Sequence, residues 1–338
     1  MTDYSQLEYT IEQMAAPGKG ILAADESFGT IAKRFQAIDV ESTEENRRAY
    51  RSLLVTTPGV AEFISGVIFF EETLGQKADD GRTLPEVCEA EGIVPGIKVD
   101  KGTIDLVNAP GDKVTQGLDG LPDRLATYRE QGARFTKWRN VYAIGNGNPS
   151  PLAVEANAEV IARYAALVQE AGMVPIVEPE VLMDGDHGVE RCAEVTEAVQ
   201  RAVFNALYRY GVSLEHMVLK PNMIVPGKEQ PKLEPETVAE HTLRVLRRTV
   251  PAAVPAIAFL SGGQTPAEAT ANLSAMNARG PAPWALTFSY GRALQEPAQK
   301  AWRGDAANVD AAQKAFYQRA RLNGAARRGD YSSGMEAA

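Results

Sequence analysis

Short apolar segments alternating with amphipathic stretches predict an α/β fold, a (β/α)8 TIM barrel formed by a single domain. Three observations support this prediction. Eight brief runs are rich in apolar residues, as strands buried on both faces of a parallel sheet are. The stretches between most of these runs carry helix-capping signals. No glycine-rich dinucleotide fingerprint follows the first run, which disfavours the alternative of an open doubly wound sheet.

The eight predicted strands alternate with helices whose N-termini carry recognisable capping signals. Ser42 with Glu45 predicts a capping box that opens a helix reaching residue 54, and Thr265 with Glu268 predicts a second capping box. Ser150 precedes a proline, a pair typical of a helix N-terminus. In chain order the predicted strands are residues 20–24, 67–70, 93–99, 135–142, 174–177, 217–219, 257–260 and 285–288.

The composition indicates one globular domain, residues 1–338, that binds neither nucleic acid nor membrane. A net charge of −9 argues against nonspecific binding to nucleic acid. The N-terminal segment lacks the apolar run of a signal peptide, and the most apolar stretch, residues 250–260, is interrupted by prolines and too short to span a bilayer. Cys88 and Cys192 form no disulfide framework and no metal-ligand spacing. We therefore expect a cytoplasmic protein, with a mobile tail at about residues 322–338.

Charged side chains cluster where the predicted strands end, which is where the chemistry of such barrels lies. Residues two apart on a strand face the same side, so Lys98 and Asp100 share a face, as do Lys137 and Arg139. The alternative is that interlocked ion pairs only hold the barrel rim together, since each buried charge needs a partner. The candidate catalytic residues at these strand ends are Asp25, Lys137, Glu178 and Lys220.

Lys220 ends the sixth predicted strand. Lysine is rarely fully buried unless it is paired. Desolvation and a second cation, for which Lys137 is the candidate, favour a neutral amine that can attack a carbonyl. The alternative is a strand-end lysine whose ammonium group reaches solvent.

Two sets of residues are candidates for binding anions. The first anion group follows the seventh and eighth strands, the usual phosphate position of this architecture, and its glycines allow backbone N–H groups to approach an anion. The second anion group follows the first strand, with cations from two others within reach. Two separate sites suggest a substrate with a phosphate at each end. The first group contains Ser261, Gly262, Gly263, Gly291 and Arg292, and the second contains Ser27, Thr30, Arg34, Lys98 and Arg139, with Lys33 as a further candidate beside it.

Long motifs, in order along the chain, resemble the class I fructose-1,6-bisphosphate aldolases, the Schiff-base family. The resemblance covers roughly residues 18–302. Motifs of this length are far more specific than a single short pattern. They include GILAADES at 20–27, GIKVDKG at 96–102, VPIVEPE at 174–180, LKPNM at 219–223, FLSGGQ at 259–264 and WALTFSYGRAL at 284–294.

The resemblance implies a barrel that is usually a homotetramer and uses no metal or other cofactor. It implies reversible cleavage of fructose 1,6-bisphosphate to dihydroxyacetone phosphate and glyceraldehyde 3-phosphate, in glycolysis and gluconeogenesis. Carried over by motif, Lys220 is the Schiff-base nucleophile and Glu178 is the acid–base residue of carbinolamine chemistry. Asp25 handles protons in C–C cleavage, and Lys137 is the neighbouring cation. The first anion group, with Ser289, matches the 1-phosphate site, and the second matches the 6-phosphate end.

Three features depart from the family pattern, and two rival functions stay open. The animal members of the family end in a tyrosine, whereas this sequence ends at Ala338. Thr30 stands where serine is common, and Glu71 stands where many relatives have histidine. One rival is a related Schiff-base lyase or transaldolase for another phosphosugar, such as sedoheptulose 1,7-bisphosphate. The other is a catalytically inactive barrel kept as a binding or scaffold protein, which the intact set of four candidate catalytic residues disfavours.

Overall fold

A computed structural model describes residues 4–145 and 147–337, and it confirms the closed barrel of eight parallel strands. The strands of the barrel are β1 (Gly20–Ala24), β2 (Ile64–Phe69), β3 (Val94–Lys98), β6 (Phe135–Tyr142), β7 (Val174–Val181), β8 (Val218–Leu219), β9 (Ala256–Phe259) and β10 (Ala285–Tyr290). Around the barrel their order is β1-β10-β9-β8-β7-β6-β3-β2. A separate antiparallel pair is formed by β4 (Thr103–Asp105) and β5 (Lys113–Thr115), which the sequence analysis did not identify.

Helices connect most of the strands. They are α1 (Ser5–Met14), α2 (Phe28–Gln36), α3 (Glu44–Val55), α4 (Glu71–Leu74), α5 (Leu84–Ala90), α6 (Leu121–Glu130), α7 (Pro151–Glu170), α8 (Val189–Arg209), α9 (Pro235–Thr249), α10 (Pro266–Ala278), α11 (Arg292–Trp302) and α12 (Val309–Arg327). None of the helices within the described ranges is long and apolar enough to cross a membrane.

The predicted caps are confirmed at two helices and wrong at a third. The side chain of Ser150 accepts a hydrogen bond from the third residue of α7, and Thr265 forms both hydrogen bonds of a capping box with Glu268 at the start of α10. At α3 the cap is Thr43, not Ser42, because the Thr43 hydroxyl accepts the hydrogen bond of the Asn46 amide.

Inward-facing positions of the barrel strands form rows that begin apolar and end charged. Phe135 on β6 packs in the apolar interior, and Lys137 and Arg139 continue the same row at two-residue spacing. The alternate residues face outward, where the ring of Trp138 stacks on that of Tyr164 from α7, with centroids 5.3 Å apart. The strand period therefore places the charges in the mouth of the barrel rather than among the helices.

The opposite end of the barrel is covered by α1, a helix that the sequence analysis missed. Leu7, Ile11 and Met14 pack into the apolar interior cluster of the strands. The carbonyl oxygen of Met14 accepts a hydrogen bond of 2.8 Å from Ser65, near the start of β2. The N-terminal end of the barrel is thus an apolar floor, as expected for the face that serves stability.

The chain is helical beyond the expected start of its tail. Leu322 lies within α12 and is buried, and this helix continues to Arg327. A short 3₁₀ helix, Ser333–Ala337, follows, and Glu336 within it forms an ion pair with Arg319 at 2.6 Å. The tail boundary predicted near residue 322 therefore falls inside a packed helix. Many of the buried residues of this helix are alanine or glycine, and such small residues give little sign of burial in the sequence.

Candidate active site

All the candidate residues singled out from the sequence line one cleft at the C-terminal end of the barrel. The cleft has a volume of about 990 Å³. Its lining includes Asp25, Ser27, Thr30, Arg34, Lys98, Lys137, Arg139, Glu178, Lys220, Ser261, Gly262, Gly263, Ser289, Gly291 and Arg292. Residues on or just after seven of the barrel strands therefore meet in one place, because parallel strands deliver their carboxyl ends to one rim.

A chain of alternating charges occupies the centre of the cleft. The Nζ of Lys220 lies 3.1 Å from Oε1 of Glu178, and the Nζ of Lys137 lies 3.1 Å from Oε2 of the same carboxylate. Lys137 also lies 2.7 Å from Oδ2 of Asp25. Lys220 is only 4% exposed, and both Lys137 and Glu178 are 3% exposed. The expected burial of Lys220 is thus observed, and the alternative of a lysine that reaches solvent is excluded.

Burial and opposing charge set the protonation of this cluster. Burial works against the charged form of Asp25, but the nearby ammonium of Lys137, and then that of Lys220, hold its pKa well below the usual range. Burial likewise disfavours charged Lys137, yet Asp25 and Glu178 hold its pKa well above that of a free lysine. Asp25 is therefore a carboxylate and Lys137 a cation at neutral pH.

The first anion group joins two loops and a helix N-terminus. Gly263 has φ +70°, a left-handed conformation in which a side chain would be strained. Ser289, at the end of β10, is 1% exposed, and its hydroxyl oxygen has no hydrogen-bond partner within the described part of the chain. Gly291 directly precedes α11, whose first residue is Arg292. A hydroxyl without a partner, a helix N-terminus and a guanidinium group together suit a phosphate.

The second anion group is held by carboxylates of the cleft. The Nζ of Lys98 lies 2.6 Å from Oδ1 of Asp100. Arg139 pairs with Glu180, and Arg34 pairs with Glu26. Arg34 also reaches toward the first group, because a Cβ built on Gly291 would lie 3.5 Å from its Nη2. The two anion groups thus approach each other at Arg34, which sequence spacing did not reveal.

A rim cluster contains Glu71, the residue that departs from the family pattern. Its carboxylate accepts a 2.6 Å hydrogen bond from Lys101 and one of 2.5 Å from the hydroxyl of Tyr128. Burial, together with the hydrogen bond to Glu71, raises the pKa of Tyr128 to about 12. Glu71 therefore anchors the β3 loop to α6 at the edge of the cleft.

Other residues behind the cleft were not singled out from the sequence. Arg51 on α3 and Gln295 on α11 are buried and contact the end of β1 next to Asp25. Nothing in the sequence distinguishes Arg51 from the two other arginines of the same helix.

Among the residues described, no group of three or more His, Cys, Asp or Glu side chains is arranged to hold a metal ion.

Comparison with known protein families identifies a family that matches nearly the whole chain. A family model described as fructose-bisphosphate aldolase class-I matches residues 6–338. The cytosolic fructose-bisphosphate aldolase 4 of Arabidopsis thaliana is 57% identical over 320 residues, which cover 94% of this chain and 81% of that protein. A probable fructose-bisphosphate aldolase class 1 of Xanthomonas campestris is 53% identical over 328 residues, which cover 96% of this chain and 98% of that protein.

A solved structure agrees with these sequence matches. It is fructose-bisphosphate aldolase from Plasmodium falciparum, in a ternary complex with TRAP and a small-molecule inhibitor. The TM-score is 0.96 at 49% sequence identity, and the match covers 97% of this chain and 96% of that chain.

Proposed function

The chain belongs to the class I fructose-bisphosphate aldolase family, and on that basis we propose that the cleft cleaves fructose 1,6-bisphosphate reversibly through an imine on Lys220. The products are dihydroxyacetone phosphate and glyceraldehyde 3-phosphate, in the direction of glycolysis. One observation carries the assignment of residues: the buried Nζ of Lys220 lies 3.1 Å from the Glu178 carboxylate.

Lys220 is the proposed nucleophile. Its amine attacks C2 of the ketose to give a carbinolamine, and loss of water leaves a protonated imine. Glu178 takes a proton from the Lys220 ammonium to free the amine, and returns it to the carbinolamine hydroxyl, which leaves as water. Its two oxygens lie 3.1 Å from Lys220 and from Lys137. The protonated imine accepts the electron pair released when the C3–C4 bond breaks.

Asp25 is the proposed base for the cleavage step. Removing the proton from the C4 hydroxyl lets the C4–O bond become the carbonyl of glyceraldehyde 3-phosphate, while the C3–C4 electron pair moves into the imine to form an enamine. Lys137, 2.7 Å from Asp25, keeps this base ionised. Protonation of the enamine at C3 and hydrolysis then release dihydroxyacetone phosphate and the free amine.

The two anion groups are proposed to hold the two ends of the substrate. The first group, with Ser289, takes the 1-phosphate. The second group takes the 6-phosphate, because Arg34, Lys98 and Arg139 supply three positive charges at that end of the cleft. Arg34→Ala and Lys98→Ala should therefore narrow the difference in kcat/KM between fructose 1,6-bisphosphate and fructose 1-phosphate. An unchanged ratio in either variant would remove that residue from the site.

Borohydride reduction in the presence of dihydroxyacetone phosphate tests the nucleophile and the reaction class together. The expected product is a stable secondary amine on the peptide that contains Lys220, and Lys220→Met should abolish it. An adduct on another lysine would reassign the nucleophile. No adduct, together with loss of activity on chelation, would indicate metal-dependent chemistry instead.

We also propose that the chain acts in the cytoplasm as a homo-oligomer, specifically a homotetramer. Relatives from Arabidopsis thaliana and Spinacia oleracea carry cytosolic or cytoplasmic in their names, and the tetramer follows from the family resemblance. Exposed apolar side chains around the β4–β5 hairpin, Ile104 and Val107, are suited to a protein contact. Light scattering should give the mass of four chains, and the mass of one chain would overturn this proposal.

A further inference from the structure

The end of β1 is held by side chains rather than by strand pairing. Ala24 is the last residue of β1 with a partner in the sheet, opposite Phe69 of β2. Asp25 and Glu26 stand beyond this ladder, although Asp25 must keep its carboxylate beside Lys137. Other groups must therefore fix the backbone at this point.

Gln295 supplies two of these contacts from α11. Its Nε2 donates to the carbonyl oxygen of Ala23 at 2.6 Å and to Oε1 of Glu26 at 2.8 Å, so the two hydrogen bonds flank Asp25. The Ala23 carbonyl and the Glu26 carboxylate can only accept hydrogen bonds, so the nitrogen of the Gln295 side-chain amide, and not its oxygen, faces them. The hydroxyl of Tyr50 donates to Oε1 of Gln295 at 3.0 Å and completes this arrangement. Gln295 is 0% exposed and does not line the cleft.

Arg51 supplies the third contact from α3. Its Nη2 donates to the carbonyl oxygen of Glu26 at 2.7 Å, and its Nη1 donates to the hydroxyl of Thr73 at 2.7 Å. Arg51 is 1% exposed, and a guanidinium group buried to this degree is costly unless it is paired. The Glu26 carboxylate lies 3.8 Å from Arg51 and also pairs with Arg34. Glu26 therefore links Arg51 to the second anion group, of which Arg34 is a member.

We propose that Gln295 and Arg51 are positioning residues that hold Asp25 in the geometry needed for C–C cleavage. They act through the backbone of β1 and through Glu26, without touching the substrate. The backbone N–H of Gln295 donates to the carbonyl oxygen of Gly291, which belongs to the first anion group, in the first turn of α11. The backbone of Gln295 therefore contacts the first anion group, while its side chain holds the end of β1 beside Asp25. This inference rests on the proposed roles of Asp25 and Lys220.

The test separates imine formation from bond cleavage in Gln295→Met. Imine formation needs Lys220 and Glu178, so borohydride trapping with dihydroxyacetone phosphate should keep the wild-type rate. Cleavage needs Asp25 in place, so kcat for fructose 1,6-bisphosphate should fall by about 100-fold, the loss that a displacement of about 1 Å can cause. Gln200→Met is the matched control, because Gln200 is a buried glutamine on α8 that accepts a hydrogen bond from Thr249 and does not line the cleft. It should leave both rates unchanged.

Each outcome is decisive. Equal losses of trapping and cleavage, or no loss of either, would overturn the positioning role. Failure to trap wild-type protein on Lys220 would instead overturn the proposed function. Arg51→Lys keeps the positive charge but cannot reach both the Glu26 carbonyl and Thr73. It should show the same split as Gln295→Met, and it provides the measurement if Gln295→Met does not fold.

Discussion

Replacing Lys137 with methionine should destabilise the protein strongly and in a pH-dependent way. Methionine preserves most of the side-chain volume but removes the cation that Asp25 and Glu178 share. The Asp25–Lys137 contact of 2.7 Å corresponds to about 6 kcal/mol of Coulomb attraction at an effective dielectric constant of about 20. Much of this offsets desolvation, and removing one partner of a buried pair costs about 3–5 kcal/mol.

The expected shift in Tm follows from the size of the chain. The entropy of unfolding is about 2.1 cal/mol/K per residue, so this loss lowers the Tm of a 338-residue chain by about 4–7 °C at pH 7. In the wild type the depressed pKa of Asp25 adds stability at every pH above its unfolded value of about 3.9, and that stability is lost only as the pH falls toward the folded value.

In Lys137→Met the sign of this linkage reverses. Burial is the largest influence on the pKa of Asp25, and only the ammonium groups of Lys220 and Lys98 then oppose it. We therefore expect this pKa to rise above its unfolded value, so that ionisation at neutral pH becomes a cost that protonation relieves. The difference in Tm between the two proteins, measured by differential scanning calorimetry, should shrink between pH 7 and pH 5. Lys113→Met, which removes an exposed ion pair with Asp105, should cost no more than about 1 kcal/mol. A Lys137→Met difference as small as this, or one independent of pH, would refute the reasoning.

Two further predictions concern the first anion group. Ser289→Ala removes a buried hydroxyl that has no partner in the described chain, so unfolding free energy should change by less than about 1 kcal/mol while KM for fructose 1,6-bisphosphate rises. A large loss of stability with an unchanged KM would show a structural role instead. Gly263→Ala should lower the stability by about 1–2 kcal/mol, because φ is +70° and the new Cβ would lie 2.9 Å from Sδ of Met183. Gly29→Ala, in α2 with open space around the Cβ, should stabilise by about 0.5–1 kcal/mol, and equal effects in urea denaturation would contradict both expectations.

The barrel and the charged rim were predictable because both depend on the strand period. Residues 20–24 and 135–142 were predicted at their observed bounds. β7 runs to Val181, beyond the predicted end at residue 177, because Glu178 and Glu180 are paired inside the cleft and do not terminate the strand. Apolar composition alone cannot identify a strand that ends in buried charges.

Features that depend on tertiary contacts were not predictable. α1 has no capping side chain and takes its stability from the barrel floor, and the β4–β5 hairpin has mostly exposed residues without an apolar row. At α3, Ser42 with Glu45 has the capping-box spacing, but the chain uses Thr43 with Asn46 one residue later. The roles of Arg51 and Gln295 depend on partners far away in sequence, and a single arginine or glutamine carries no local signal of them.

Inward-facing side chains recur at every second residue of a strand, so the number of residues in a strand decides which side chains reach the cleft. Deleting one residue of β6 between Phe135 and Lys137 would turn Lys137 and Arg139 toward α7, and would direct the indole of Trp138 into the mouth of the barrel. Deleting two residues of β6 ahead of Lys137 would leave Lys137 and Arg139 facing inward, but would draw both side chains back from the mouth of the barrel by one pleat. New activities in this scaffold are therefore accessible through replacements at alternate positions, whereas an odd-numbered insertion or deletion would invert a whole strand.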